Sequence, residues 1–173
     1  AGLVTAVIPD RCLETVASFH PCIMTRPLSD DPQGRFALEA SATLNSILPT
    51  ASAIGCGPGM TTCPGSIRIV ERLLQWQRPC VLDADAINAL SLLEDPVWKQ
   101  QVAARDQFAP LILTPHPGEL ARLTGVAASD RENQISTATQ LCDDHGLFMV
   151  LKGGPTVVIG PRGASWQNST GNP

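Results

Sequence analysis

The sequence has no run of basic residues: its 12 Lys and Arg are scattered among 16 Asp and Glu, for a formal net charge of −4. That absence excludes a surface built to track nucleic-acid phosphates or an anionic membrane. No stretch approaches the roughly 20 consecutive apolar residues that a membrane-spanning helix needs. No C-x-x-C pair and no histidine cluster accompanies the six cysteines, Cys12, Cys22, Cys56, Cys63, Cys80 and Cys142. A zinc site or disulfide framework is therefore not expected, and free thiols in a reducing cytosol are. Internal repeats, low-complexity tracts and a dividing linker are also missing. The apolar opening from Ala1 to Ile8 lacks a starting Met, a basic flank and a cleavage site. It reads as a buried strand rather than a signal peptide.

What is present is the composition of an ordinary globular protein, 43% hydrophobic and 16% charged over 173 residues. That is enough for one domain with a sizeable core. Short β-rich apolar runs alternate with longer segments of helical period, which predicts βα units and an α/β fold around a mainly parallel central sheet. Strands are expected at residues 3–8, 51–55, 80–84, 111–114, 148–151 and 156–159. Most are continuous apolar runs, as in strands covered by helices on both faces. Ile67, Val70, Leu73 and Leu74 share one face of a helix that starts near Thr62 and ends before Pro79. A short helix opens at Pro117 and closes at Gly125. The run Ser129-Asp130-Arg131-Glu132 predicts a capping box for a helix reaching about His145, with Gly146 as its stop. Residues 20–36, rich in Pro and Asp and without clear period, are expected to form a surface connection.

Four segments place small or polar residues just after a strand, at the sheet edge where doubly wound folds bind ligands. After Ile54, Gly57-Pro58-Gly59 lets backbone approach a ligand, and the following helix start favours anions. The loop lacks the Lys-Ser/Thr of a P-loop and the third Gly of a dinucleotide fingerprint. It reads equally as a plain turn or as a phosphate or ribose site. Asp83 and Asp85 end the next strand, with Asn88 three residues on. A buried carboxylate needs a partner, here a metal, a hydroxyl or a loop; the alternative is that Asp85 caps a helix and Asp83 bonds backbone. His116 stands between Pro115 and Pro117, stiffened for a ligand contact where a lone histidine is usually structural, while Glu119 either meets ligand or favours the helix start by its charge. Lys152 before Gly153-Gly154-Pro155 suits a nucleotide, or else an exposed Lys beside a hairpin turn.

In this order, Gly57-Pro58-Gly59, Leu82-Asp83-Ala84-Asp85-Ala86-Ile87-Asn88, Thr114-Pro115-His116-Pro117-Gly118-Glu119, Leu151-Lys152-Gly153 and Thr170-Gly171-Asn172-Pro173 resemble the NAD(P)H-hydrate dehydratase family of the ribokinase-like superfamily. The segment Thr114 to Glu119 is the most specific. Ala1-Gly2-Leu3-Val4-Thr5 is similar to the family's second strand, and the resemblance is weakest from about Asp10 to Pro49. It implies a ribokinase-like fold and the dehydration of hydrated NADH or NADPH driven by ADP or ATP with Mg2+. In that reaction the ring hydroxyl is phosphorylated and phosphate is then eliminated. By motif, Gly57, Gly59, Asp83, Asp85, Asn88, His116 and Glu119 are carried over to the substrate side of the pocket, where Asp83, Asp85 and Asn88 would organise the substrate or a metal. Lys152, Gly153, Gly154, Pro155, Thr156 and Asn172 are carried over to the nucleotide side.

The family's G-x-G-D segment, which supplies the anion hole and the base, would follow Pro173. No catalytic base is therefore expected within these residues, and the chain is expected to be the central part of a larger domain. The complete protein is expected to be a cytoplasmic homo-oligomer. A small-molecule kinase of the same superfamily and a non-catalytic nucleotide-binding remnant are the alternative readings.

Overall fold

The apolar runs become strands and the periodic segments become helices in a computed structural model that describes residues 2–168 and residue 170. In chain order the elements are β1 (Val4–Pro9), α1 (Leu13–Ala17), β2 (Ile23–Leu28), α2 (Ala40–Ile47), β3 (Ile54–Cys56), α3 (Pro64–Leu74), β4 (Cys80–Leu82), α4 (Asp85–Leu90) and α5 (Asp95–Ala103). They continue with β5 (Leu111–Leu113), α6 (Pro117–Thr124), α7 (Arg131–His145), β6 (Phe148–Leu151), β7 (Thr156–Ile159) and β8 (Ser165–Asn168). Strands β1 and β2 form a parallel pair, and β3 to β8 form one sheet in sequence order. Its first four strands are parallel and the last two pairings antiparallel.

Because the parallel strands follow one another in space in chain order, right-handed crossovers set their connecting helices on a single face. Burial agrees. Leu82, Leu111, Leu113, Met149, Leu151 and Ile159 are closed off against the helices, whereas Val81, Ile112, Val150 and Val158 on the other face are only half-buried. The helical layer read from the apolar runs is thus present on one face among the described residues. Helix α3 buries Ile69, Val70, Leu73 and Leu74, with Ile67 packed at its margin. Each such fully buried side chain contributes about 2 kcal/mol over an exposed one, so the carboxyl edge of the sheet rests on a firm floor. No helix of the described residues is long and apolar enough to cross a membrane.

The structure departs from the sequence reading in three further places. Residues 20–36 contain β2 and are not merely a connection. Its Pro27 removes a backbone donor, which an edge strand tolerates, and only Leu28 of the strand is buried, so the apolar signal is faint. Strand β8 was not expected at all, because its four residues Ser165 to Asn168 are all exposed and carry no apolar alternation. The cap of α7 is Asp130, whose carboxylate accepts from the Asn133 amide at 3.2 Å, one residue later than the Ser129 box predicts. The stops agree with expectation: Gly125 and Gly146 close α6 and α7 in the left-handed conformation.

Candidate functional site at the carboxyl edge of the sheet

Four parallel strands deliver four loops to one edge, and the backbone ties each loop to its neighbour. The Asp83 amide donates to the Cys56 carbonyl at 3.0 Å, the Thr114 amide to Leu82 at 3.1 Å, and the Lys152 amide to Pro115 at 2.9 Å. Lys152 and Asp83 meet across the edge, Nζ to Oδ1 at 2.5 Å, with the side chains 42% and 31% exposed. Partial burial raises the Asp83 carboxyl pKa, but hydrogen bonds from the Lys152 ammonium and the Thr114 hydroxyl outweigh it and hold the group below its ordinary value. Asp83 is therefore an ionised carboxylate at neutral pH. The Cys56 thiol nearby is pushed by burial up to about 12 and stays protonated.

The two acidic residues of the second motif point to different partners because of the residue between them. Ala84 adopts φ 48° and ψ −117°, and the Ala86 amide closes back on the Asp83 carbonyl at 3.0 Å. This is a type II′ turn with alanine where glycine is preferred. Past the turn, Asp85 accepts the Thr61 amide at 2.9 Å and lies 3.5 Å from the Asn88 amide nitrogen. The Asn88 oxygen in turn accepts from Arg122 at 2.9 Å. Asp85 and Asn88 thus brace the Gly-rich loop against α4 and α6, and Asp83 alone of the three faces the centre of the edge.

Ala84 holds its left-handed φ against its own preference, at a strain of roughly 1–3 kcal/mol. Glycine there relieves that strain, less the entropy glycine adds to the unfolded chain. Ala84→Gly is expected to stabilise the protein by about 1 kcal/mol, read as a higher urea midpoint at unchanged slope; a lowered midpoint would contradict the turn described.

In the first loop, Gly57 has φ 140°, and a Cβ there would stand 1.7 Å from the Asp83 carbonyl oxygen. Gly59, at φ 75°, has nothing within 4 Å of its Cβ position, so the loop presents bare backbone to open space. Gly57 is fixed by close packing, and Gly59 is the member of the pair that faces outward.

His116 is the N-cap of α6. Its Nδ1 accepts from the amides of Gly118 at 2.9 Å and Glu119 at 3.3 Å, which places the ring proton on Nε2. That Nε2 lies 3.2 Å from Glu119 Oε1, while Glu119 Oε2 accepts the His116 amide at 2.9 Å. Both carboxylate oxygens of Glu119, a residue only 5% exposed, are spent inside this reciprocal cap. The imidazole face stays open, with 49% of the side chain exposed.

The fourth motif is a hairpin: β6 and β7 are antiparallel, joined by a turn through Gly153, Gly154 and Pro155. Gly153, Gly154 and Pro155 are exposed, and Lys152 and Thr156 are half-buried. Asn172 lies outside the described residues. Sequence reasoning missed Thr61, Thr114, Arg122 and Arg131, which hold the motif residues in place. Thr114 does stand at the end of β5, but a lone hydroxyl there gives no sign that it would hold Asp83, and the other three lie away from strand ends.

Asp83 supplies a check on this account. A carboxyl whose folded pKa is lowered contributes stability above its unfolded value of 3.8, and that contribution is lost as pH falls through the lowered folded value. Because the pair is partly solvated, the effect is below about 1 kcal/mol. Between about pH 5 and about pH 3, Asp83→Asn should lose less stability than the wild type; equal urea-midpoint slopes against pH would contradict the pairing.

The strand order and the loops gathered at one edge define a ribokinase-like α/β protein. The fold matches a ribokinase-like superfamily protein from Enterococcus faecalis V583 with TM-score 0.73 at 22% identity, covering 100% of this chain and 55% of that one. A family model described as Carb_kinase, NAD(P)H-hydrate dehydratase, matches residues 1–173, and the chain belongs to that family. It is 37% identical over 175 residues to the bifunctional NAD(P)H-hydrate repair enzyme Nnr of Moorella thermoacetica, with 100% of this chain and 32% of that protein covered. It is 34% identical over 124 residues to the ADP-dependent (S)-NAD(P)H-hydrate dehydratase of Bacillus subtilis, covering 71% of this chain and 41% of that protein. The B. subtilis ADP/ATP-dependent NAD(P)H-hydrate dehydratase co-crystallised with ATP/Mg2+ and soaked with CoA superposes with TM-score 0.70 at 28% identity, over 99% of this chain and 57% of that one. The chain spans about a third of the length of the bifunctional relatives it matches.

Proposed function

We propose that this edge binds the substrates of a nucleotide-dependent NAD(P)H-hydrate dehydratase. ADP or ATP phosphorylates the ring hydroxyl of hydrated NADH or NADPH, and loss of phosphate with a ring proton then restores the dihydropyridine. The observation that carries this reading is the convergence of all four loop motifs on one edge around the Lys152–Asp83 pair. The related repair enzyme and dehydratase supply the reaction class.

The roles divide by what each side chain has left to offer. Gly59 and the open imidazole face of His116 line the side of the hydrated dinucleotide. Lys152, Gly153, Gly154, Pro155 and Thr156 line the side of the adenine nucleotide. Asp83 stands between the two. Gly57, Asp85, Asn88 and Glu119 act one step back, by fixing the loops that make contact.

Among the described residues no three His, Cys, Asp or Glu side chains converge as a metal cage. That fits Mg2+, which is commonly held by nucleotide phosphates with one or two carboxylates, and Asp83 is the ionised group that would complete its shell. The ion would offset charge on the transferring phosphoryl group. Six free cysteines suit a reducing compartment such as the cytoplasm.

The test is to incubate the full-length protein that carries these residues with hydrated NADH and ADP or ATP, following dihydropyridine absorbance. Recovery only with nucleotide is expected. A stable phosphorylated product would establish a small-molecule kinase instead, and nucleotide binding without turnover a non-catalytic module.

A further inference from the structure

Arg131 stands at the first position of α7, where the helix dipole disfavours a cation. Among the described residues no carboxylate pairs with it. Its guanidinium is spent on backbone: Nη1 donates to the Lys152 carbonyl at 3.1 Å, and Nη2 donates to Leu151 at 3.3 Å and to Pro155 at 2.8 Å. These three carbonyls flank the turn between β6 and β7 on both sides. Gly153 lies against the same group, since a Cβ there would meet the guanidinium at 3.5 Å. Lys152 is thereby held by its backbone at both ends, its amide on Pro115 and its carbonyl on Arg131. With the main chain fixed, the ammonium is aimed across the edge at Asp83.

A second arginine shows what a purely architectural clamp looks like in this fold. Arg105 donates to the carbonyls of Leu73, Leu74, Arg78 and Ala109. Those groups lie at the end of α3 and just before β4 and β5, at the amino edge of the sheet. The two guanidiniums use the same chemistry at opposite ends of the molecule, and only Arg131 grips a loop that carries a candidate ligand contact.

We propose that Arg131 is a positioning residue for the nucleotide: it sets the β6–β7 turn so that Lys152 and the Gly153-Gly154 backbone meet the phosphates in one fixed arrangement. This rests on the reading of that turn as the nucleotide side of the site. A planar guanidinium serves three carbonyls at once through its fork of donors, which a lysine ammonium on a flexible stem does not reproduce.

The experiment compares Arg131→Met, Arg131→Lys, Lys152→Ala and Arg105→Met in the full-length protein. Michaelis constants are measured separately for ADP or ATP and for hydrated NADH, together with the melting temperature. Both Arg131 variants are expected to raise the nucleotide KM about tenfold, equivalent to about 1.4 kcal/mol, with the hydrated-NADH KM within about twofold. Arg105→Met is expected to lower the melting temperature and leave the ratio of the two KM values as in the wild type. A nucleotide KM unchanged in both Arg131 variants but raised in Lys152→Ala would overturn the positioning role alone. So would equal movement of both KM values. A nucleotide KM unchanged in Lys152→Ala would overturn the nucleotide reading of the turn, and the positioning role with it. Should Arg131→Met fail to fold by circular dichroism, Arg131→Lys, which keeps the charge and stem, decides.

Discussion

Gly57→Ala is expected to cost about 4 kcal/mol of stability, combining backbone strain with an unrelievable overlap. The added methyl would stand 1.7 Å from the Asp83 carbonyl oxygen and 3.0 Å from the Ala86 methyl. Neither neighbour can swing away, because the carbonyl is backbone and already accepts the Ala86 amide. The φ of 140° adds its own penalty for any L side chain. Relief requires the Gly-rich loop to lift off β4, which breaks the bond between Asp83 and Cys56 and turns the Asp83 carboxylate away from Lys152. Stability and nucleotide-dependent turnover should therefore fall together. Urea unfolding reads the first, and a loss smaller than about 1 kcal/mol would show that the close approach does not exist. Gly59→Ala is the contrast: its Cβ position is open, so only the φ strain of about 1 kcal/mol remains.

Lys152→Ala separates binding from stability in the opposite sense. An ion pair with members 42% and 31% exposed contributes at most about 1 kcal/mol to folding. For a protein of this size the melting temperature should then drop by less than about 4 °C. A charge-assisted hydrogen bond to a phosphate contributes about 1.5–3 kcal/mol. The nucleotide KM should accordingly rise about ten- to hundredfold. In a double-mutant cycle with Asp83→Asn, the two effects on nucleotide KM should be non-additive, because the side chains touch. Strict additivity, with each variant folded, would mean that the pair is incidental to binding.

How far the sequence revealed this arrangement depended on whether each signal was local. Strands β4 to β7 were legible because Cys80 to Leu82, Leu111 to Leu113, Phe148 to Leu151 and Thr156 to Ile159 are apolar or β-branched runs with Pro, Gly or a polar residue within two positions of each end. Strand β2 was not, since it is an edge strand interrupted by Pro27, and β8 was not, since every residue faces solvent. At the site, the motif residues were recognised by type and by their place after a strand, and the structure brings the described ones to one edge. What the sequence could not show is how each polar atom is spent. Glu119 and His116 look like two ligand contacts, yet they close a cap on each other. Asp83 and Asp85 sit two apart, yet the turn at Ala84 sends one to Lys152 and the other to Thr61. These pairings join residues 69 and 24 positions apart, and nothing in the local pattern encodes such distances. Arg131 was hidden for the same reason: at a helix start it reads as an ordinary surface cation, and its carbonyl partners lie beyond the helix.

The backbone bonds that tie each edge loop to the next also govern how this scaffold can change. In many βα proteins a surface loop can be exchanged without disturbing its neighbours. Here Cys56 and Asp83, Leu82 and Thr114, and Pro115 and Lys152 share hydrogen bonds across adjacent loops, so each loop is part of the mould for the next. New ligand preferences would be reached by grafting the four loops as a block. A library that randomises one loop alone will mostly sample misassembled edges, and drift among natural variants should show paired replacements on neighbouring strands rather than isolated ones.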